Sequence, residues 1–201
     1  MLRSKIIETA ADMFFRQGFK ETTMDDIASS LGMSKKTLYA EFSGKDELVR
    51  EAVYHIYRRV SGKILEICKA DLNPYEEFFR IRSFMREMFK DAQVLHYHQL
   101  KKYYPSLANE LHRKKRDVVM KCLEKNLRKG IRAGYYKKSL DVDFFKRLYF
   151  GCGTVLSDTE LFPPEEFDKY RIGNAFMMFF LNGISTKEGR KMLKIVQKNF
   201  K

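Results

Sequence analysis

Few residues of this chain are spaced for covalent or metal chemistry. The three cysteines, Cys68, Cys122 and Cys152, are far apart and show no C-x-x-C spacing. That argues against a disulfide framework and against a zinc site, and the three read as small buried apolar residues. His96 and His98 stand two residues apart, which does not align two ligands on a helix face. No carboxylate cluster accompanies them, so no metal is expected. The sequence holds no Gly-rich phosphate loop, no G-x-S-x-G and no H-E-x-x-H. Scattered His and Cys residues do not make a catalytic set, so neither an enzyme nor a cofactor is expected. What the chain offers instead is hydrogen-bond donors and positive charge. Thirty-nine Lys+Arg against 26 Asp+Glu leave a net charge of +13, and the pI near 9.6 suggests a polyanionic partner.

The charge is unevenly placed. Residues 1–50 hold eight basic and eight acidic residues, whereas residues 101–150 hold fifteen and five. The excess therefore lies in the middle of the chain. At 201 residues and 44% hydrophobic, a chain buries roughly 70% of its unfolded surface, so no disulfide is needed for stability. Four prolines and eleven glycines are few and favour helices. The most apolar stretch, Ile172 to Thr186, is solidly apolar only from Ala175 to Leu181, against about 20 residues needed to cross a bilayer. Residues 1–17 carry Arg3, Lys5, Glu8, Asp12 and Arg16, which leaves no apolar core for a signal peptide. A cytoplasmic protein without membrane contact is the expectation.

The elements that must position the donors are helical. Leu2, Ile6, Ile7, Ala10, Met13 and Phe14 recur at three- and four-residue spacing, an amphipathic helix that Gly18 closes. Thr23-Met24-Asp25-Asp26 reads as a capping box opening a second helix, with Ile27, Ala28 and Leu31 facing inward. Gly32 suits a left-handed turn. Ser34 caps a short third helix, Lys35 to Phe42, with Leu38 and Phe42 inward. Ser43-Gly44-Lys45-Asp46 reads as a further capping box, before a longer helix through Leu48, Val53, Ile56 and Val60. Two short helices about a Gly turn make a helix-turn-helix, although an ordinary helical hairpin has the same periodicity.

The residues themselves separate the two. The stretch from Thr22 to Leu48, TTMDDIASSLGMSKKTLYAEFSGKDEL, resembles the DNA-binding domain of the TetR family of bacterial transcription regulators. The family pattern T-x-x-x-I-A-x-x-x-G-V-S-x-x-x-[LI]-Y-x-x-F-x-x-K-x-x-L is matched at nearly every fixed position. The resemblance implies an all-α fold. Residues 1–46 form a three-helix DNA-binding domain with the helix-turn-helix, and 47–201 a larger helical domain for effector binding and dimerisation. It implies a homodimer on a palindromic operator, its recognition helices in successive major grooves. It implies a repressor that a small molecule releases.

By matching position, the resemblance assigns DNA contacts to Thr23, Ser34, Lys35, Lys36, Thr37, Tyr39 and Lys45. The chemistry agrees. Thr23 stands at a helix N-terminus, which can hold a phosphate. Tyr39 offers a phenol and Lys45 a point charge, contacts that position without reading sequence. Lys35, Lys36 and Thr37 lie on the first turn of the recognition helix. Lysine pairs with guanine O6 and N7, and a threonine methyl suits thymine. Glu41 departs from the family, which often has His, Tyr or Asn there. A carboxylate repels phosphate, so no phosphate contact is carried over to it.

Beyond Asn73-Pro74 three long helices are expected: Tyr75 to Ala92, Ser106 to Ala133 and Asp143 to Thr159. A fourth, Glu165 to Gly183, follows Pro163-Pro164, and Thr186 caps a last basic helix ending near Phe200. Tyr103-Tyr104-Pro105 is a break. The helix after it carries Arg113, Lys114, Lys115, Arg116, Lys121, Lys125, Arg128 and Lys129 on one face, read first as a solvated face. The helix holding Ala175 to Leu181 is apolar nearly all round and must be covered on both sides. With the family's four-helix bundle as guide, the dimer interface is expected at Phe145, Leu148, Tyr149, Cys152, Val155, Leu156, Phe176, Phe179 and Phe180. The effector pocket is expected at Phe84, Met85, Met88, Phe89, Tyr97, Tyr103, Cys122 and Asn126, since Met and aromatics line adaptable apolar cavities. The competing reading is a basic helical module that binds nucleic acid or anionic membrane through residues 101–147 without sequence preference.

Overall fold

The computed structural model describes residues 1–89 and 95–200, with side chains for all of these except residues 95–97. Among the described residues ten helices follow one another: α1 Leu2–Gln17, α2 Met24–Ser30, α3 Lys35–Glu41, α4 Lys45–Lys69, α5 Pro74–Met88, α6 Leu95–Tyr103, α7 Pro105–Arg132, α8 Val142–Val155, α9 Lys169–Ile184 and α10 Lys187–Lys198. Among the described residues extended pairing is limited to one antiparallel bridge, Tyr136 to Ser185. The all-α class expected from the sequence holds.

The chain divides into two compact units, residues 1–62 with 89–114 and residues 63–88 with 115–201. The unit that carries the helix-turn-helix is thus larger than residues 1–46. The reason is its core. Leu100, Leu107, Ala108 and Leu111 are buried in the same cluster as Ile6, Phe14, Ile27, Leu38 and Leu48. Arg50 pairs with Glu110 at 3.1 Å, and the Tyr54 hydroxyl donates to the same carboxylate. A three-helix domain alone is small for a self-sufficient core; α6 and the start of α7 enlarge it.

The second unit is built on Tyr75, Phe78, Leu123, Leu127, Tyr136, Met177, Phe180, Leu181, Ile184 and Leu193. A polar cluster is sunk in it. The Asn126 amide donates to the Pro74 carbonyl at 2.9 Å and to Glu77 at 2.8 Å, and accepts from the Tyr136 hydroxyl at 3.1 Å. Burial pushes the Glu77 carboxyl up, against Asn126 and Lys129, which hold it down.

Some boundaries differ from the sequence expectation. The box at the start of α4 closes on Glu47, not Asp46: both the amide and the hydroxyl of Ser43 donate to Glu47 at 2.8 Å. The chain enters α4 one residue later than a four-residue box allows, and Asp46 accepts instead from the Tyr104 hydroxyl. α8 ends at Val155 rather than Thr159, and α9 starts at Lys169 rather than Glu165. Residues 163–167 make turns, and the side chain of Asp168 caps α9 through the Arg171 amide. α5 ends at Met88, and the rest of the helix expected to Ala92 falls at residue 90 on outside the described residues. α6, before the Tyr103 break, was not foreseen.

Candidate nucleic-acid interface

The helix-turn-helix is fixed by three local devices. Thr23 accepts from the Asp26 amide at 3.1 Å while the Asp26 carboxylate accepts from the Thr23 amide at 2.8 Å, a closed capping box of the kind that satisfies two orphan helix donors. The Thr23 hydroxyl, which donates to the same carboxylate at 2.6 Å, and then the Thr23 amide hold the Asp26 carboxyl below the usual carboxylate range. Gly32 then takes φ +64, a conformation that costs side-chain-bearing residues energy. Its amide and that of Met33 bond back to Ser29 and Ala28. Ser34 caps α3 by accepting from the Thr37 amide at 3.1 Å.

α3 buries Leu38 completely, with Phe42 just beyond it at 1% exposure. Helical spacing then turns Lys35, Lys36, Thr37 and Tyr39 outward, and all four are exposed. The two lysines differ. Lys35 pairs with Asp25 of α2, whereas no partner of Lys36 is found among the described residues. Tyr39 is 52% exposed. Thr23 and Ser34 are exposed as well, though their hydroxyls serve as caps. Lys45 is half-buried, and its ammonium donates to the Lys20 carbonyl at 3.1 Å. Burial pulls its pKa down, while Glu21, Asp46 and Asp26 raise it. Glu41 is half-buried at the end of α3.

Two supports were invisible to sequence reasoning. Arg3 stacks on the Phe42 ring with its guanidinium 4.1 Å from the centroid, donates to the Glu41 carbonyl and pairs with Glu47 at 2.8 Å. With the two Ser43 bonds, Arg3 drives the Glu47 carboxyl down to about 2. Gln99 of α6 accepts from the amides of Phe19 and Lys20, at 2.8 and 3.3 Å. These partners lie about 40 and 80 residues apart in sequence, and no local pattern announces them.

In the second unit, Phe84, Met85 and Met88 are half-buried on α5 and Cys122 is half-buried on α7; Phe89, half-buried just beyond α5, belongs to the first unit. Asn126 is buried with both ends of its amide engaged, and Tyr103 is 41% exposed. The Tyr97 side chain, and that of His96, lie outside the described residues. Of the nine interface candidates, Phe145, Tyr149 and Phe176 surround Phe180, their ring centroids 4.8–6.2 Å from its own. Phe180 is therefore core, at 5% exposure, while its neighbour Phe179 is 78% exposed. Leu148 and Val155 are exposed, Cys152 and Leu156 half-buried. Ala175, in the run expected to need cover, lies open too, as does Phe144 at 54%, which is not among the nine; its i, i+4 spacing to Leu148 was the available signal. Among the described residues no group of three His, Cys, Asp or Glu side chains could hold a metal ion, and no helix is long and apolar enough to cross a membrane.

A capped helix pair about a left-handed glycine, presenting lysines, a threonine and a tyrosine from its second helix, defines a helix-turn-helix regulator of transcription. The family model described as bacterial regulatory proteins, tetR family, matches residues 6–52. Over 195 residues the chain is 28% identical to the HTH-type transcriptional repressor KstR2 of Mycobacterium tuberculosis, covering 93% of this chain and 94% of that protein. Over 56 residues it is 34% identical to the negative transcriptional regulator IcaR of Staphylococcus epidermidis, covering 28% of this chain and 30% of that one. A TetR/AcrR-family regulator from Thermobifida fusca has the same fold, with a TM-score of 0.67 at 18% identity over 90% of this chain and 97% of that one. Residues 6–52 thus match the tetR-family domain, and the whole chain is similar to transcriptional regulators built on that domain.

Proposed function

We propose that this protein is a homodimeric repressor that holds a palindromic operator with its two α3 helices and lets go when a small molecule binds the second unit. The observation that carries the DNA half is the exposed row Lys35, Lys36, Thr37 and Tyr39 on a helix pinned by buried Leu38. Lys36 and Thr37 read base edges, Thr23, Tyr39 and Lys45 hold phosphates, and Ser34 and Lys35 seat the helix start at the groove. The relatives named as repressors support the direction of control.

Dimerisation rests on α8 and α9. α8 is rich in apolar residues yet has none that is buried. A Cβ added at Gly151 or Gly153 would meet nothing within 4 Å, and with Phe144, Leu148, Val155 and Phe179 this leaves an apolar surface that monomers seldom leave in water. A second copy covers it. The effector is assigned to the Met- and aromatic-rich region around Phe84, Met85 and Met88, with Cys122 and Asn126 of the same unit as further contributors; Phe89, Tyr97 and Tyr103 belong to the first unit.

The basic helix α7 gives no second reading. Lys129 pairs with Asp71 at 3.1 Å, Arg128 with Glu124 at 3.0 Å, and Lys125 donates to the Cys68 carbonyl at 2.6 Å. Three of the eight basic residues named on its face are thus engaged within the fold. The deciding experiment selects bound duplexes from a randomised library at 0.15 M salt. Enrichment of an inverted repeat, with half-sites about 34–36 Å apart or a multiple of that, is the expected result. Salt-sensitive retention without sequence enrichment would replace the regulator with the unspecific basic module.

A further inference from the structure

The second unit holds a cavity of about 120 Å³ between α5, α9 and the end of α10. None of the eight residues expected to form the effector pocket lines it. Phe79 and Phe200, stacked with centroids 5.3 Å apart, form its apolar side. Ser83, Asn174 and Gln197 supply neutral donors and acceptors, and Arg82 supplies a cation.

Arg82 is half-buried. Its Nε is buried and has no hydrogen-bond partner among the described residues. One Nη donates to the Tyr170 carbonyl, and the guanidinium lies 4.5 Å from the centroid of the Tyr170 ring. Arg86 lies against the same ring at 4.7 Å, so two cations share one aromatic. Asp168, the carboxylate that acts on Arg82, is engaged as the cap of α9, accepting from the Arg171 amide at 2.5 Å. A buried donor left unmade is costly, more so on a charged group. A planar fork of donors is matched best by a carboxylate.

We propose that this cavity is a binding site for a small carboxylate, whose oxygens take the open Nε–H of Arg82 and whose short apolar chain lies against Phe79 and Phe200. The size agrees: a cavity of about 150 Å³ takes up benzene, so 120 Å³ fits an acid of three or four carbons. Burial lowers the pKa of Arg82, and an anion beside it offsets that cost. The site reaches α9 through Tyr170 and Asn174, so occupancy bears on the helix that also carries Phe179. The proposal goes beyond the repressor reading and does not depend on it.

The test is calorimetric titration of the full-length protein with propionate, with propionamide as the uncharged isostere and no DNA present. Saturable binding of one propionate per chain, at least tenfold tighter than propionamide, is expected. Arg82→Gln should abolish it, and Asn174→Leu, which removes a polar wall and fills the space, should weaken it at least tenfold while keeping Arg82. Equal binding of propionamide, no binding of propionate or butyrate, or unchanged affinity in folded Arg82→Gln would each overturn the site. If Arg82→Gln does not fold, unchanged affinity in Asn174→Leu does so instead. Because DNA is absent, a failure here leaves the operator selection untouched, and a failure there leaves this result standing.

Discussion

Phe179 and Phe180 are adjacent in sequence and opposite in fate, which makes them a sharp test of the dimer. Phe179 is 78% exposed, and an aromatic side chain offers about 200 Å² to burial. Covering it with a second copy removes roughly 150 Å² from water, worth about 4 kcal/mol per chain at 25 cal/mol/Å². Replacing it with Glu also places a carboxylate in that apolar seam, twice per dimer. Since each 1.4 kcal/mol is a factor of ten, the dimerisation constant should weaken by several decades, and Phe179→Glu should sediment as a folded monomer at micromolar concentration. Its thermal midpoint apart from dimer loss should barely move, because the side chain makes little of its own unit's core. Phe180→Ala should do the reverse. At 5% exposure its removal leaves a cavity costing roughly 3–5 kcal/mol of folding stability. Sedimentation velocity read beside thermal unfolding separates the two. A soluble Phe179→Glu dimer with wild-type sedimentation would refute the interface, whatever Phe180 does.

At the DNA face, Lys36→Ala should relax discrimination at particular base pairs by roughly 1–3 kcal/mol, whereas Lys45→Ala should weaken all duplexes alike and lower the salt slope by about one unit. A uniform loss for Lys36→Ala across mutated operators would confine that lysine to the backbone. Glu47, held down to about 2 by Arg3 and Ser43, stabilises the fold only while ionised. Its contribution is complete above the unfolded carboxyl range near 4.5 and fades as pH falls toward 2. The midpoint difference between wild type and Glu47→Gln should therefore shrink across that window, and a constant difference would remove the ion pair from the account. A Cβ at Gly189 would run into the Tyr135 carbonyl and the Tyr75 hydroxyl, so Gly189→Ala should cost about 1–3 kcal/mol in denaturant unfolding. Gly62→Ala, in open space on α4, should gain up to about 1 kcal/mol.

Local chemistry is legible in the sequence alone. The capping box at Thr23, the left-handed Gly32 and the Ser34 cap each act over three or four residues, so adjacent side chains carry the whole instruction. The exposed face of α3 follows from burying Leu38 once the helix exists. Helix existence in the second unit was legible for the same reason, while the end of α8 and the start of α9 each lie four residues from the expected place; at α9, turns at 163–167 and the Asp168 cap compete with continued helix. Tertiary structure alone decided the rest. Arg3 against Phe42 and Glu47, Gln99 under the Phe19 amide, and Leu100 and Leu111 in the helix-turn-helix core are contacts across tens of residues, which no periodicity encodes. The apolar run Ala175 to Leu181 shows the division most plainly. Its composition required cover on both sides, but only the packing of Phe145, Tyr149 and Phe176 settled that Phe180 faces its own core and Phe179 the open side. Burial is a property of position among neighbours, and two identical side chains in one run carry no mark of it.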